Sequence, residues 1–238
     1  MTSIPVLEVA GLVKDYHGLR PLRLERLTLL PGEQVAVLGF DAPAAEMFTT
    51  LVTGALSPDV GAIRVLGTST ASLQNSDEWL QFVDRIGIVT VRAVLLDSMT
   101  VIQNLALPFT LSIEPPPEDA RRRAEALAVE VGLPPSTWEA AVGNLDGGLR
   151  TRVRLARAVS LDPALVLLEH PTAQVDRAAV EMLARDIRTV AERRGLATLT
   201  LTADDEFARA VAPTMMTWNP ADGTLHAPRR SWLPWRRT

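Results

Sequence analysis

The sequence predicts an α/β fold with a helical insertion. The chain has 238 residues and is 47% hydrophobic, which is enough to bury one substantial core. Apolar runs rich in branched residues alternate with amphipathic stretches, which is typical of strands connected by helices. A mainly helical pattern interrupts this alternation in the middle of the chain. We therefore predict one domain over residues 1–228 with a helical subdomain at about 92–160, followed by a basic tail at 229–238.

Strand and helix patterns follow one another along the chain. The strand patterns are alternating or uniformly apolar, and the helix patterns repeat apolar residues at helical spacing. The predicted strands are Ile4–Val13, Leu22–Leu29, Gln34–Gly39, a strand reached through Gly54–Ile63, the apolar run Val166–Glu169, and Ala197–Thr202. The predicted helices are Phe48–Thr53, Glu118–Val131, the arginine-rich run from Gly147 to Ala158, and Glu181–Arg194.

Composition argues against several classes of protein. A net charge of −4, with Lys14 as the only lysine, argues against general nucleic-acid binding. The chain has no cysteine, and His17, His170 and His226 are scattered, so we expect no metal site. No apolar run reaches the roughly 18 residues of a membrane-spanning helix. The first residues lack a signal-peptide pattern, so we expect a cytoplasmic protein.

One succession of residues carries the strongest family signal. The run Asn144-Leu145-Asp146-Gly147-Gly148 opens an arginine-rich amphipathic helix, and Asp162-Pro163 ends it. The apolar run Val166–Leu168 then leads into Glu169-His170-Pro171-Thr172, with Asp176 beyond. This succession resembles the signature motif, Walker B strand and D-loop of the ATPase subunits of ABC transporters.

The resemblance extends over roughly residues 5–226. It implies a P-loop NTPase-like ABC ATPase core with a small antiparallel β region and an inserted α-helical subdomain. The segment from the Q-loop to the signature is weakly similar to the subfamilies that transport lipids and lipoproteins.

The segment where the resemblance places a phosphate loop departs from the motif. Such a loop needs glycines, a lysine for the terminal phosphates and a hydroxyl for magnesium. Counted from Gly39, the chain has Ala44 for the second glycine, Ala45 for the lysine and Glu46 for the Ser/Thr. We hypothesise that Asp41 and Glu46 take the electrostatic place of phosphate. We therefore expect no tightly bound cofactor in the chain's own site.

The resemblance also assigns catalytic positions that carry other residues here. Val91 stands at the Q-loop glutamine, and Glu169 stands at the magnesium-binding Asp. His170 replaces the catalytic glutamate and Ala203 replaces the switch histidine. Tyr16, the only tyrosine, is either the adenine-stacking aromatic of the family or a half-buried loop residue. These replacements together indicate that hydrolysis is not the task of this chain.

The signature and D-loop positions imply a partner subunit. In family dimers this motif faces the nucleotide of the opposite subunit, so Asp146, Gly147, Gly148 and Asp176 are the candidate partner-site residues. ATP and Mg²⁺ are expected only at such a composite site. We predict that the arginines of the following helix form a solvated or ion-paired face; they are Arg150, Arg152, Arg154 and Arg157.

Three functional hypotheses remain open. The first is a degenerate (pseudo-ATPase) subunit on the cytoplasmic side of the inner membrane, bound to a transmembrane permease and paired with a second ATPase subunit as a hetero- or homodimer. The second is an active ATPase that uses Glu169 and His170, and the third is a soluble interaction module. The Trp/Arg tail at 229–238 suits an anionic membrane surface, a partner groove or a disordered solubilising segment.

Overall fold

Two β-sheets organise the computed structural model, which describes residues 4–73 and 75–227. The strands are β1 (Leu7–Lys14), β2 (Leu22–Leu29), β3 (Gln34–Leu38), β4 (Val60–Val65), β5 (Thr68–Ser69), β6 (Ile86–Thr90), β7 (Leu165–Glu169), β8 (Ala197–Thr202), β9 (Thr214–Trp218) and β10 (Leu225–His226). The helices are α1 (Ala42–Val52), α2 (Ser76–Val83), α3 (Val101–Ala106), α4 (Glu118–Glu130), α5 (Gly147–Val159), α6 (Val180–Arg194) and α7 (Asp205–Val211).

The smaller sheet is antiparallel and has the strand order β2-β1-β4-β5. In β2 the side chains of Leu22, Leu24, Leu27 and Leu29 are buried and those between them are exposed. Buried and exposed residues alternate except at Glu25 and Arg26, which are both exposed. This alternation matches a sheet that packs one face on the core. The small antiparallel β region of the predicted fold class is therefore confirmed.

The larger sheet has the order β10-β9-β3-β8-β7-β6, and its five strands from β9 to β6 are parallel. The core strands are buried on both faces, because successive residues contribute to different hydrophobic clusters: Leu165 and Leu167 to one, Val166 and Leu168 to the other. The carboxyl ends of parallel strands lie along one edge, which is where α/β proteins place their sites.

A helical subdomain formed by α3, α4 and α5 lies between β6 and β7 in the chain. The helix α4 buries Ala120, Ala124, Leu127 and Ala128 on one face, and so joins the larger hydrophobic cluster. The predicted span of about 92–160 contains all three helices.

Within the described residues, no helix has the length and apolarity needed to cross a membrane. The tail at 229–238 lies outside the described residues.

Asn104 fixes the entry to this subdomain. Its side chain is fully buried, accepts a hydrogen bond from the Leu96 amide at 2.9 Å and donates to the Leu96 and Thr100 carbonyls at 3.0 Å. One amide group therefore holds the chain between β6 and α3 in a fixed loop, in keeping with the rule that buried polar groups are hydrogen-bonded.

We predict that Asn104→Ala lowers the free energy of unfolding by about 1–3 kcal/mol, because it removes three hydrogen bonds from a buried loop. Asn144→Ala, at an exposed position, serves as the control and is expected to change stability by less than about 0.5 kcal/mol. Chemical denaturation of the two variants measures the difference. Equal effects would contradict the role given to Asn104.

Candidate functional site

Three of the predicted catalytic positions and the expected phosphate loop lie at the carboxyl edge of the large sheet. The segment after β3 enters α1, Val91 follows β6, Glu169 ends β7, and Ala203 follows β8. Since β3, β8, β7 and β6 are consecutive parallel neighbours, these segments lie side by side. The fold thus brings together residues that are far apart in the sequence.

The start of α1 does not form an open phosphate loop. The helix begins at Ala42, so the last five residues of the expected loop are helical, and the stretch predicted to continue the helix, Phe48–Thr53, does so as far as Val52. Asp41 caps the helix, because its Oδ1 accepts the Ala44 amide at 2.8 Å and its carbonyl accepts the Ala45 amide at 3.0 Å. Pro43 has no amide proton. The helix N-terminus therefore already binds an anion, and that anion is part of the chain.

The segment before α1 is packed into the core. The ring of Phe40 is 1% exposed and stacks on Trp218 with 4.3 Å between centroids, and its edge contacts Phe48 at 5.8 Å. Gly39 has a φ of +101°, and a Cβ there would lie 2.9 Å from the Trp218 carbonyl oxygen. Ala45, at the lysine position, is fully buried. Gly39, Phe40 and Ala45 therefore contribute to the packing of the protein interior.

Arg92 lies at the centre of the site. Its Nε and Nη2 donate to the two carboxylate oxygens of Glu169 at 3.1 and 2.8 Å, and its Nη1 donates to Glu46 at 2.9 Å. Thr90 donates a further hydrogen bond to Glu169. The hydrogen bond to Glu169 raises the pKa of the Arg92 guanidinium, against the effect of burial. A bidentate pair of this kind is among the stronger charged contacts in proteins.

We call this arrangement of Arg92, Glu46 and Glu169 the arginine clamp. It joins α1, the end of β6 and the end of β7 through one guanidinium. Glu46 and Glu169 stand at the two positions that the resemblance gives to magnesium ligands, so the cation between them is an arginine of the same chain. Among the described residues, no group of three or more His, Cys, Asp or Glu side chains is arranged to hold a metal ion.

His170 and Ala203 occupy different environments beside the clamp. His170 has a φ of 42°, which strains a non-glycine residue, and its amide donates to the Leu201 carbonyl. Its Nε2 atom is buried without a hydrogen-bond partner. Ala203 is exposed and precedes Asp204, whose carboxylate pairs with Arg177 at 2.8 Å. Burial would raise the pKa of Asp204, but hydrogen bonds from the Phe207 amide and Arg177 hold it below its usual value.

Tyr16 lines a groove of about 540 Å³ with Trp218 and the segment from Gly39 to Pro43. It is half-buried, and burial together with the nearby Asp41 carboxylate raises the pKa of its hydroxyl. The groove lies beside the capped start of α1. Both interpretations of Tyr16, adenine stacking and loop packing, agree with this position.

The signature and D-loop segments are in direct contact within the chain. Gly147 and Gly148 are the first residues of α5, and Asp146 caps the helix by accepting the Leu149 amide at 2.8 Å. A Cβ at Gly147 would lie only 1.5 Å from the Gln174 carbonyl oxygen. Asp176 is exposed two residues beyond this contact. The glycine therefore allows two backbones to touch where the resemblance expects a partner's nucleotide.

The arginine face of α5 is less solvated than predicted. Arg152 and Arg154 are 4% and 5% exposed, so neither is solvated, and the prediction of a solvated or ion-paired face is wrong for Arg154. The expectation of ion pairing is confirmed for Arg150 with Asp97, at 2.8 Å, and for Arg152 with Asp186. Arg154 and Arg157 instead donate to backbone carbonyls of residues 91–94. The reason is that α5 packs directly against β6 and the loop that follows it.

The central role of Arg92 was not predicted from the sequence. Val91 stands at the Q-loop position, and no pattern in the sequence singles out Arg92 beside it. The available signal was a pair of carboxylates at both metal-ligand positions, Glu46 and Glu169, without a lysine nearby. Two carboxylates that face one site require a cation. Arg92 is the candidate, because it follows β6, which ends beside Glu169.

We predict that Arg92→Ala lowers the free energy of unfolding by about 1–3 kcal/mol, since it leaves the carboxylate of Glu169, only 5% exposed, without its cation. The double variant Arg92→Ala/Glu169→Gln is expected to regain part of the loss. Arg188→Ala, which breaks an exposed pair with Glu192, is the control and costs about 0.5 kcal/mol or less. Urea denaturation that gives equal losses for Arg92 and Arg188 would refute the clamp.

We predict that Gly147→Ala destabilises the chain by about 1–3 kcal/mol or more, because the new methyl group meets backbone that must move. Gly148→Ala is the matched control. Its Cβ would meet side-chain atoms only, Asp146 Oδ1 at 3.3 Å and Arg152 Nη1 at 3.5 Å, and so the loss is expected to be smaller. Thermal unfolding of both variants measures the order, and a larger loss for Gly148 would contradict the contact.

Comparison with known proteins places this geometry in context. Residues 25–173 match the family model described as ABC transporter. A lipoprotein-releasing system ATP-binding protein, LolD, of Alcanivorax borkumensis is 31% identical over 87% of this chain and 91% of its own length. An uncharacterized ABC transporter ATP-binding protein of Mycobacterium tuberculosis is 32% identical over 78% of this chain, which spans 57% of that relative.

Solved structures share the fold. The ATP-binding cassette MJ0796, solved as a dimer in a post-hydrolysis state with ADP and phosphate, has a TM-score of 0.76. It is 21% identical, and the match covers 93% of this chain and 98% of that one. At this identity the similarity concerns the fold alone.

Proposed function

The chain belongs to the ABC transporter family of ATP-binding subunits, and from that premise we propose that it is a subunit without ATPase activity in its own site. It lies on the cytoplasmic face of a membrane, bound to a transmembrane permease. There it pairs with a second ATPase subunit, to whose nucleotide it offers the start of α5. The arginine clamp is the observation that carries this proposal.

The arginine clamp supports the absence of ATPase activity, because its guanidinium neutralises the two carboxylates and occupies the space of a magnesium ion. A magnesium ion between Glu46 and Glu169 would have to displace the Arg92 guanidinium from three hydrogen bonds. Val91 offers no side-chain ligand to replace them. Because both carboxylates are already neutralised by a fixed internal cation, the site gains little from binding a second one.

The triphosphate of ATP fits these residues equally poorly. The Ala44 and Ala45 amides are bound to Asp41, and no lysine side chain reaches the site from position 45. The Asp41 carboxylate would repel the phosphate groups that a helix N-terminus normally attracts. We therefore derive no hydrolytic step from this site. At most, the groove beside Tyr16 binds the base of a nucleotide.

The signature region retains the features that a partner needs. Gly147 and Gly148 leave the N-terminus of α5 free of side chains, and the contact with Gln174 holds it against the D-loop segment. Asp146 keeps its carboxylate turned to its own helix, where it accepts the Leu149 amide. We infer that the partner supplies the nucleotide and that this chain closes over it.

The similarity to LolD supports a transporter that moves lipids or lipoproteins as the substrate class. This part of the proposal concerns the cargo of the permease, because the clamp and signature residues are assigned to the nucleotide sites. A Brucella abortus relative named as a methionine import ATP-binding protein is 28% identical over 89% of this chain, and its name indicates a different cargo.

One observation favours a rival function. The Nε2 atom of His170 is buried beside the clamp without a partner, and a histidine side chain can act as a general base. An active ATPase with His170 as base would need a nucleotide held by other residues.

Turnover measurements separate the two functions. We predict that the purified chain shows no ATP hydrolysis, and that the complex isolated through a tag on this chain hydrolyses ATP. Gly148→Ala is expected to lower that turnover at least about tenfold, since its methyl group meets Asp146, Arg152 and Val175 and so shifts the start of α5 that faces the partner's nucleotide. His170→Ala is expected to leave turnover unchanged. Hydrolysis by the isolated chain that His170→Ala abolishes would establish the rival.

A further inference from the structure

The groove beside Tyr16 has walls that suit an aromatic side chain. Its volume of about 540 Å³ is within the range of small binding sites. Trp218 lines it while being only 6% exposed and stacked on Phe40, and so forms a fixed part of the wall. Aromatic-lined grooves are sites at which proline-containing segments dock. Three prolines also line this groove, Pro21, Pro43 and Pro220.

The ring of Tyr16 is held by its own loop. A Cβ at Gly18 would lie 2.8 Å from the Tyr16 Cζ atom, so the ring and the loop backbone are in direct contact. Leu19, which follows, also lines the groove and is fully exposed. A ring that is already fixed loses little freedom when another group packs on it.

Asp41 gives the groove a negative charge. One oxygen of its carboxylate accepts the Ala44 amide, and within residues 4–73 and 75–227 the ion pairs do not include this carboxylate. Burial, and secondarily the charge of Asp41, raise the pKa of the Tyr16 hydroxyl, as expected for a carboxylate near the ring. Arg20 lines the groove too, but its side chain is exposed to solvent. A cation beside an aromatic group would therefore complement this groove.

The tail at 229–238, outside the described residues, contains such groups. It has four arginines, two tryptophans and a proline, and no acidic residue. The rest of the chain has eight more acidic than basic residues, so the tail is attracted to the body of the protein. Tryptophan and arginine are also the side chains that contribute most to binding at protein interfaces. The centre of the tail is Trp232-Leu233-Pro234-Trp235.

The strand β10 brings the chain close to the groove. Leu225 pairs with Trp218, which lines the groove, and His226 pairs with Thr217. Ala227 thus lies about two strand residues, or roughly 7 Å, from Trp218. The five residues from Ala227 to Trp232 span up to about 17 Å, which is enough to return to the groove. A segment tethered this closely has an effective concentration of about millimolar order.

We propose that the segment Trp232–Trp235 docks in the groove beside Tyr16 of the same chain, with an indole against the Tyr16 ring and a flanking arginine paired with Asp41. The docked tail excludes the base of a nucleotide from this groove. Docking needs neither a nucleotide nor a partner subunit, and so it is independent of the proposed function.

The tail fits the charge of the groove better than a nucleotide does. A nucleotide in the groove would direct its phosphates toward Asp41, whereas the tail brings arginines to the same carboxylate. Internal groups already occupy the two neighbouring positions: Arg92 lies where magnesium is expected, and Asp41 binds the amides that would hold phosphate. An indole beside Tyr16 would be the third such replacement.

Engineered disulfides test the docking, because the chain has no cysteine of its own. Leu19→Cys, in the groove, is combined with Ser231→Cys in the full chain, and the control is Thr214→Cys with Ser231→Cys. Thr214 is exposed and lies on β9 on the other side of Thr217, so the tail reaches both positions about equally. Under mild oxidation of dilute protein, the Leu19 pair is expected to form its intramolecular disulfide at least about tenfold faster than the control. Mass spectrometry of peptides measures both rates.

Two changes then test the contacts. Trp232→Gln with Trp235→Gln is expected to bring the rate of the Leu19 pair to within about twofold of the control, because the indoles supply most of the buried area. Asp41→Asn retains the helix cap, since asparagine caps as well as aspartate, and is expected to lower the rate by about twofold to fivefold. Asp77→Asn, at an exposed acid outside the groove, should have no effect.

Several outcomes would overturn the docking. They are equal rates for the Leu19 and Thr214 pairs, a disulfide that forms only between two chains, and a fast Leu19 pair that the tryptophan and Asp41 changes leave as fast. Vesicles of phosphatidylglycerol that bind the full chain, while the Leu19 pair reacts no faster than the control, would assign the tail to a lipid surface instead. A fast Leu19 pair in a chain that hydrolyses ATP alone would support the docked tail and refute the proposed function.

Discussion

The guanidinium of Arg92 holds three parts of the protein together at the carboxyl edge of the large sheet. Glu169 brings a nearly fully buried carboxylate to the end of β7, and Glu46 brings a second one from α1. Two negative charges at one edge repel each other unless a cation lies between them. The relation between α1, β6 and β7 therefore depends on a positive charge, and here the polypeptide itself provides it.

The loop that carries Arg92 links this site to the helical subdomain. Its carbonyls accept hydrogen bonds from Arg154 and Arg157 on α5, and α5 begins with the glycine pair that touches Gln174. A single helix thereby connects the sheet edge with the signature region. The connection consists of hydrogen bonds and packing contacts within the chain itself.

Much of the fold could be predicted because it depends on local patterns. The strands β2 and β8 have the predicted bounds, and the family resemblance supplied the antiparallel sheet and the helical insertion. The start of α1 was less predictable, because Asp41 caps the helix in place of a loop. Arg92 lies 46 residues from Glu46 and 77 from Glu169. No local spacing reveals such a contact, and the burial of Arg154 likewise depends on how α5 packs.

The buried position of Ala45 has a consequence for anyone who would build a phosphate loop into this chain. Because the first turn of α1 is helical and Ala45 is fully buried, a lysine at this position would place its ammonium group in the core. A phosphate loop here would require the helix to lose a turn, Asp41 to release its amides and Arg92 to leave Glu169. Substitution of Ala45 alone therefore cannot create such a loop, because three sets of contacts would have to change together.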